Sequence, residues 1–215
     1  MGQVTGVNFS FSNGTGPITH VIFDLDGLLL DTEKFYTEVG KIILARYNKT
    51  FDWSVIAKMM GKKAIDAARV FVEETGISDS LTAEDFLVER EAMLEKLFPT
   101  SELMPGASRL IRHLHEQAIP FCLATSSYRR HFELKTQSHP AKRFEGGPID
   151  PNKSLVFEDA PSGVHAAKNA GMYVVMVPDS RLDNSFHDAA DQVLGSLLDL
   201  NPSDWGLPPF DNPAS

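Results

Sequence analysis

The chain has 215 residues, of which 42% are hydrophobic and 23% are charged, a balance typical of a globular protein. Its net charge of -9 and the lack of a basic block argue against a general nucleic-acid-binding protein. The single cysteine, Cys122, excludes an intramolecular disulfide and favours a reducing compartment. No apolar run approaches the ~18 residues of a membrane span, and the first twenty residues lack the basic start and apolar core of a secretory signal. We therefore expect a cytoplasmic protein whose residues 1–17 form a flexible leader.

Short apolar runs predict β-strands, and helical patterns separate them. The predicted strands are 19–26, 119–126, 154–159 and 172–178. Helical patterns cover 106–117 and 162–171. Continuously apolar strands alternating with helices indicate a parallel sheet that is covered on both faces. In such a sheet the ligand site lies beyond the carboxyl ends of the strands.

The first and second strands are separated by about ninety residues that contain no convincing strand. Helical patterns fill this interval at 34–47, 52–60, 62–75 and 82–97. Thr82 and Asp85 form a variant of the capping box at the start of the last helix. We predict a mostly helical domain over 33–104, inserted into an α/β core made of 18–32 and 105–215.

The stretch "VIFDLDGLLLDTE" places two carboxylates, Asp24 and Asp26, at the end of an apolar strand. Alternation along a strand puts both on one face, and Gly27 lets the chain turn and leaves its backbone open to a ligand. Two carboxylates this close do not both ionise readily unless a cation lies between them. The oxygen ligands suit Mg²⁺, with Asp159 at another strand end as the third ligand. The alternative is that Asp24 only caps a turn and that Asp26 is solvated.

A third strand end carries the hydroxyl residues Thr125, Ser126 and Ser127, followed by a helical segment. Hydroxyls and free N–H groups at a helix start favour anions such as phosphate. Taken alone, these residues more often form an ordinary helix cap, and "EDAPSG" a loop that enters a helix. The convergence of three strand ends on acidic and hydroxyl residues favours a site for a phosphate and a metal ion.

Several motifs resemble those of the haloacid dehalogenase-like phosphohydrolases over roughly residues 17–210. They are "FDLDGLLLDTE", "LMPGA", "LATSS" and "LVFEDAPSGVHAAKNAGM". Within that superfamily, "MGKKAIDAA", "VPDSRL" and "WGLP" are similar to the group that holds plant glycerol-3-phosphate phosphatases and pseudouridine-5'-phosphatases. The resemblance implies a Rossmann-like core with a parallel sheet and a helical cap inserted after the first strand.

The resemblance also implies roles for the acids. Asp24 would be the nucleophile that forms an aspartyl-phosphate, and Asp26 the general acid and then the general base. Mg²⁺ would be held by Asp24, the backbone carbonyl of Asp26 and Asp159, with Glu158 beside it.

The same resemblance assigns substrate-binding residues. Thr125 and the Ser126 amide would hold the phosphoryl group, and the turn at Gly27 would lie against it. In the cap, Gly61, Lys62 and Lys63 would form a loop that faces the substrate. The alternative is that the two lysines are solvated at a helix start.

The sequence departs from the family between the "TSS" and "EDAPSG" motifs. Members carry a catalytic lysine there in a Gly-Lys-Pro segment, and this chain has no such segment. The interval is short by about one strand and one helix, while its flanks are family-like. This resembles an internal deletion that removes the edge strand next to 119–126 and exposes a new sheet edge.

Other basic residues are poor substitutes for the missing lysine by simple distance arguments. Lys153 is a strand length of ~16 Å from the catalytic edge, and Lys135 is ~15 Å along a helix from Thr125. Lys142 and Arg143 lie in a loop of unpredictable path, which leaves Arg129 as the best-placed replacement. We therefore predict severely impaired turnover.

These observations favour a Mg²⁺-dependent phosphatase that acts on a small phosphorylated metabolite, with glycerol 3-phosphate as the favoured substrate. One alternative is a catalytically impaired or inactive truncated form of such an enzyme. The others are a pseudouridine-5'-phosphatase and a sugar-phosphate mutase of the β-phosphoglucomutase kind. We expect a monomer without nucleic-acid or membrane partners.

Overall fold

The computed structural model describes residues 17–59, 62–139 and 150–211. Three residues singled out above, Gly61, Lys142 and Arg143, and residues 1–16 of the predicted leader lie outside this part of the chain. Within the described ranges, no helix is long and apolar enough to cross a membrane.

A five-stranded, all-parallel sheet forms the centre of the fold, in the order β2-β1-β3-β4-β5. The strands are β1 (His20–Phe23), β2 (Phe121–Leu123), β3 (Ser154–Glu158), β4 (Tyr173–Met176) and β5 (Gln192–Val193). The four predicted strands are confirmed, although each is shorter than the run that predicted it. The sequence analysis missed β5, because a two-residue strand leaves no periodic pattern. Among the described residues, β2 has no neighbour on its outer side, as the predicted loss of an edge strand requires.

Alternating residues of β1 point to opposite faces of the sheet. Val21 and Phe23 are fully buried in a cluster that includes Leu110 and Leu114 of the helix 107–116. Ile22 belongs to a second cluster on the other face, which includes Val164 of the helix 161–169. The strands are therefore continuously apolar because both faces of the sheet are covered.

The described part of the chain contains seven α-helices. They are α1 (Glu33–Ala45), α2 (Trp53–Met59), α3 (Ala64–Glu74), α4 (Ala83–Leu97), α5 (Ala107–Glu116), α6 (Arg129–Lys135) and α7 (Pro161–Asn169). Helices α1, α3 and α4 share a buried cluster of their own, in which the rings of Phe71 and Phe86 stack with centroids 4.0 Å apart. The predicted cap of α4 is confirmed, since the Asp85 N–H donates to Thr82 Oγ1 at 3.1 Å.

The chain leaves and re-enters the sheet layer through two segments that lie side by side. The Asp31 N–H donates to the Glu102 carbonyl at 2.9 Å, and the Met104 N–H donates to the Leu29 carbonyl at 2.9 Å. Leu30 and Leu103 form an antiparallel bridge between these two bonds. The four helices α1–α4 thus begin and end just beyond the carboxyl end of β1, directly over the sheet edge that carries the predicted site.

Candidate active site

Three carboxylates converge at the carboxyl ends of β1 and β3. Asp24 follows β1, and its N–H donates to the Phe157 carbonyl at 3.0 Å, which places it level with the end of β3. Glu158 is the last residue of β3, and Asp159 follows it. One carboxylate oxygen from each of Asp24, Glu158 and Asp159 lies within 4.8 Å of the others.

Two glycines make room for these acids. Gly27 has φ +80°, and a Cβ at this position would overlap the Asp159 carboxylate. Gly163, in the first turn of α7, lies so close to the Glu158 carboxylate that a Cβ there would overlap it as well. The turn expected at Gly27 is therefore present, and it lets Asp159 approach the β1 loop.

Burial, with added repulsion at Asp24 and Asp159, raises the pKa values of this acidic cluster. Burial, the Glu158 charge and the Asp26 charge raise the pKa of Asp24 to about 7. Burial raises the pKa of Asp159 to about 9, with further contributions from the charges of Asp24, Glu158 and Glu33. Burial also raises the pKa of Glu158. Three partly buried acids with raised pKa values form a donor set that a hard divalent cation would stabilise.

Asp26 is in a different setting, since both of its carboxylate oxygens accept hydrogen bonds. Oδ1 accepts from Thr32 Oγ1 at 2.6 Å and pairs with Lys135 Nζ at 2.6 Å, and Oδ2 accepts from Ser127 Oγ at 2.7 Å. Burial alone would raise the pKa of Asp26. The Lys135 charge and the hydrogen bonds from Lys135, Thr32 and Ser127 outweigh burial and lower this pKa. The carboxylate of Asp26 is therefore fixed and charged.

The position of Lys135 shows that our distance argument was wrong. Lys135 is the last residue of α6, and its ammonium contacts Asp26 directly. Counting residues along the chain treats the helix as a straight spacer that leads away from Thr125. Side chains of a helix instead tilt toward its N-terminus, so a long lysine side chain at the end of a seven-residue helix reaches back to the site.

The structure also contradicts the choice of Arg129 as the replacement for the missing lysine. The Arg129 side chain is 90% exposed and pairs with Glu133 at 3.5 Å, one turn along the surface of α6. Lys153 precedes β3, at the end of the strand opposite Glu158, as predicted. Sequence distance therefore ranked Arg129 above Lys135, whereas helix orientation reverses that order.

The predicted phosphate-binding residues lie just beyond β2. Thr125 Oγ1 accepts the Ser127 N–H at 3.0 Å, which closes a tight turn before α6 begins at Arg129. Ser126 and Ser127 face the same cavity as Asp26. Ser127 was quoted in the motif but given no role, and the structure adds it to the site through its bond to Asp26.

A cavity of about 530 Å³ lies between the cap helices and the sheet edge. Its lining combines residues of α1, the start of α3, α4 and the β2–α6 segment. They are Asp26, Glu33, Tyr36, Ala64, Leu87, Val88, Arg90, Glu91, Ser126, Ser127, Tyr128 and His131. Ala64 belongs to this lining, whereas the neighbouring Lys62 and Lys63 are exposed and do not. The proposed substrate-facing role of Lys62 and Lys63 stays a prediction.

The sequence analysis assigned no role to the residues that α4 contributes to this cavity. Leu87, Arg90 and Glu91 lie at helical spacing, which would have placed them on one face of α4 but not against any particular element. Glu91 contacts the Tyr128 hydroxyl and the His131 ring, so α4 and α6 meet at the cavity wall. Burial lowers the pKa of Arg90, whose guanidinium lies 5.8 Å from the centre of the Tyr36 ring. These residues surround the space next to Asp26.

Comparison with known proteins places this arrangement in a family. Residues 18–145 match the family described as haloacid dehalogenase-like hydrolase. The (DL)-glycerol-3-phosphatase 1, mitochondrial, of Arabidopsis thaliana is 65% identical, over 92% of this chain and 76% of that protein. The (DL)-glycerol-3-phosphatase 2 of the same organism is 63% identical, over 93% of this chain and 95% of that protein.

A solved structure supports the fold, and the alignments support the predicted deletion. A hydrolase of this family from Deinococcus radiodurans, crystallised with phosphate and sodium, superposes with a TM-score of 0.72 at 23% identity, over 90% of this chain and 99% of that chain. The alignment to the mitochondrial relative spans 227 positions, whereas 92% of this 215-residue chain is about 198 residues. About 29 positions therefore have no counterpart here, enough for one strand and one helix. With its motifs, its parallel sheet and these relatives, the chain belongs to the haloacid dehalogenase-like hydrolase family.

Proposed function

We propose that this protein is a phosphatase of small phosphate monoesters and that glycerol 3-phosphate is its favoured substrate. The observation that carries the proposal is the convergence of Asp24, Glu158 and Asp159 at one sheet edge, beside a cavity lined by Asp26 and Ser126. The choice of substrate rests on 65% and 63% identity to two proteins named as glycerol-3-phosphatases.

Asp24 is the nucleophile in this mechanism. One of its carboxylate oxygens attacks phosphorus, an aspartyl-phosphate forms, and the bond from phosphorus to the alcohol oxygen breaks. Water then attacks the phosphorus, the bond to Asp24 breaks, and inorganic phosphate leaves. The backbone N–H groups of Leu25 and Asp26 bond to the Asp24 carboxylate and oppose the rise in its pKa. They also fix the orientation of the attacking group.

Asp26 moves the protons. It donates a proton to the departing alcohol in the first half-reaction and accepts one from the attacking water in the second. The lowered pKa of Asp26 favours the ionised carboxylate, which is the form that accepts a proton from water. A phosphate dianion next to Asp26 would offset the Lys135 charge and favour the protonated form that the first half-reaction needs.

The donor set fits Mg²⁺. Asp24, Asp159 and the backbone carbonyl of Asp26 would hold the ion, with Glu158 beside them. Burial and neighbouring acids raise the pKa values of Asp24 and Asp159, which supports a cation at this position. When bound, Mg²⁺ supplies charge neutralisation and polarises a phosphoryl oxygen. The Glu158 Oε2 accepts the N–H groups of Asp159 and Ala160 at 3.0 and 3.1 Å, so Glu158 orients the loop that carries Asp159.

The remaining residues position the substrate. Thr125 and the Ser126 amide hold the phosphoryl group, and the open backbone at Gly27 lies against it. The alcohol part occupies the cavity under α4. Lys62 and Lys63, exposed at the start of α3, attract the phosphate monoester as it approaches this opening.

Phosphate release by the purified chain tests the proposal. A panel of glycerol 3-phosphate, pseudouridine 5'-phosphate and sugar phosphates is assayed with Mg²⁺ and with EDTA, and the products are separated into free phosphate and isomerised sugar phosphate. We expect Mg²⁺-dependent release of phosphate, fastest from glycerol 3-phosphate. An isomerised product would identify a mutase. The absence of turnover would identify the inactive truncated form, the alternative for which the lack of about 29 aligned positions is the reason.

The Asp24→Asn variant identifies the nucleophile. It should abolish phosphate release, because a carboxamide cannot form the acyl-phosphate. Asp31→Asn is the matched control, since the Asp31 side chain is 41% exposed and pairs with Lys34 on the surface. Wild-type phosphate release by Asp24→Asn would exclude the assignment.

We propose a cytoplasmic location, since a chain with a single cysteine, Cys122, has no intramolecular disulfide to maintain and suits a reducing compartment. One relative carries "mitochondrial" in its name, so the location of a fluorescent fusion decides between the two compartments.

A further inference from the structure

Lys135 is the most deeply buried charged residue among those that the structure describes. Its side chain is 1% exposed, at the end of α6. A lysine is almost never fully buried unless its charge is paired, because the ammonium loses its hydration. The contacts around Lys135 therefore have to offset a large cost.

Those contacts link two of the strand ends that build the site. The ammonium pairs with Asp26 Oδ1 at 2.6 Å and donates to Ser127 Oγ at 3.0 Å. The Ser127 hydroxyl in turn donates to Asp26 Oδ2 at 2.7 Å, which closes a ring of three groups. The ammonium also lies 4.4 Å from the centre of the Phe98 ring, a cation–π contact that supports its burial. Lys135 thus joins the β1 loop to the segment that carries Thr125 and Ser126.

Four acids lie at the sheet edge: Asp24, Asp26, Glu158 and Asp159. Across 17–59, 62–139 and 150–211, the only ion pair that any of these four acids forms is the pair between Asp26 and Lys135. The segment that would carry the family's lysine is absent from the sequence. The ammonium of Lys135, which belongs to α6 and not to the missing segment, therefore lies at the acidic edge of the sheet.

We propose that Lys135 takes over the role of the missing lysine, as a positioning residue that holds Asp26 and Ser127 and supplies the fixed positive charge beside the phosphoryl group. This inference rests on the proposed phosphatase function and makes it compatible with the deletion. A phosphate dianion that enters next to Asp24 and Asp26 adds negative charge to an acidic edge. A buried ammonium that is already oriented offsets that charge without reorganisation during the reaction.

The competing explanation is that Lys135 only stabilises the fold. A structural role predicts that removal of the lysine lowers the melting temperature and the fraction of folded protein, but leaves the kcat of the folded fraction intact. A positioning role predicts a lower kcat with little change in KM, because the cavity that binds the alcohol is unchanged.

The experiment truncates the lysine and then restores its charge. Lys135→Ala removes a side-chain segment equivalent to propylamine, so the variant is assayed with glycerol 3-phosphate and Mg²⁺ alone, with added propylammonium, and with added propan-1-ol. Lys168→Ala is the control, since Lys168 forms its ion pair with Asp191, away from the site. Circular dichroism melting gives the folded fraction of each variant.

We expect kcat of Lys135→Ala to fall by ~10²–10³, the loss typical of one preorganised electrostatic contact. Propylammonium should restore kcat at least tenfold, and propan-1-ol should not. Unchanged kcat in folded Lys135→Ala, or equal rescue by propan-1-ol, would overturn the proposal in favour of packing. If the truncated chain does not fold, Lys135→Met decides, because methionine is close to lysine in size but carries no charge. A kcat lowered more than tenfold at unchanged KM and melting temperature supports the charge role, and an unchanged kcat overturns it in favour of a structural role.

Orthovanadate binding separates this inference from the proposed function. If the wild-type chain releases no phosphate from any ester, the phosphatase proposal fails by itself. Orthovanadate, a phosphate mimic, is then titrated against the wild type and Lys135→Met in Mg²⁺. Binding that is at least tenfold weaker in Lys135→Met upholds the charge role of the lysine, whereas equal affinities or no binding to the wild type overturn it.

Discussion

Asp24 and Asp26 are one residue apart and lie in opposite electrostatic environments. Asp24 belongs to an acidic cluster with Glu158 and Asp159, in which burial and like charges raise the pKa values. Asp26 is paired with Lys135, accepts two hydroxyl hydrogen bonds and has a lowered pKa. Both acids are largely shielded from solvent, so burial alone does not explain the difference.

The contrast shows which half of the site the polypeptide completes by itself. In the half of the site around Asp26, the chain itself supplies the compensating positive charge, through Lys135 of α6. The Asp24 half carries three acids and, among the described residues, no ion pair. The first half should therefore depend on its own side chains for stability, and the second half on an added cation.

The largest expected effect is the difference between two alanine substitutions measured in EDTA. Asp26→Ala leaves the Lys135 ammonium buried without its counter-ion, and breaking such a pair costs about 3–5 kcal/mol of unfolding free energy. Asp159→Ala removes a carboxylate whose ionisation is disfavoured by burial and by neighbouring acids, so it should leave stability unchanged or raise it. Urea denaturation of both variants in EDTA checks the contrast.

A double variant sharpens this result. Asp26→Ala combined with Lys135→Met removes both charges, so it should recover part of the stability that Asp26→Ala loses. Equal destabilisation by Asp26→Ala and Asp159→Ala would mean that the two halves of the site do not differ in the way described.

The pH dependence of stability should report the raised pKa values of Asp24 and Asp159. A raised pKa means that the folded protein keeps a proton that the unfolded chain loses near its ordinary value of 3.8. In EDTA, stability should therefore fall as the pH rises from about 4 toward 7 for Asp24 and toward 9 for Asp159, with a slope of up to ~1.4 kcal/mol per pH unit for each proton. Asp26 acts in the opposite direction, because its contribution is present above pH 4 and is lost only as the pH falls through its lowered pKa.

Thermal melts from pH 4 to 9, with EDTA and with Mg²⁺, measure this slope. Mg²⁺ should flatten it by binding the ionised acids, and Asp159→Asn should flatten the part between pH 7 and 9 even in EDTA. A rise in stability over the same range in EDTA would contradict the assignment of repulsion to this cluster.

The elements of the fold were predictable because their periodicities are strong. The four apolar runs and the helical patterns gave the right order of strands and helices, and "FDLDG" with "EDAPSG" marked the strand ends that meet. The contact of Lys135 was not predictable by counting residues along the chain, since it depends on the direction in which α6 leaves β2 and on the backward tilt of its side chains. The same limit applied to Arg90 and Glu91, whose helical spacing does not reveal the partner of that face.

The smallest expected effect concerns Arg129, which sequence distance favoured over Lys135. Its side chain is 90% exposed and its pair with Glu133 spans one helical turn in solvent, where such pairs contribute about 0.3–0.5 kcal/mol. We expect Arg129→Ala to change stability by no more than that amount and to leave phosphate release within about twofold of the wild type, which kinetics beside Lys135→Ala will show. Arg129 and Lys135 both belong to α6, but only Lys135 contacts Asp26. The two variants therefore distinguish the loss of any positive charge on α6 from the loss of the charge paired with Asp26. A tenfold loss in Arg129→Ala would show that the exposed guanidinium moves into the site during turnover, and the ion pair at Asp26 would then not be the only cationic contact of the reaction.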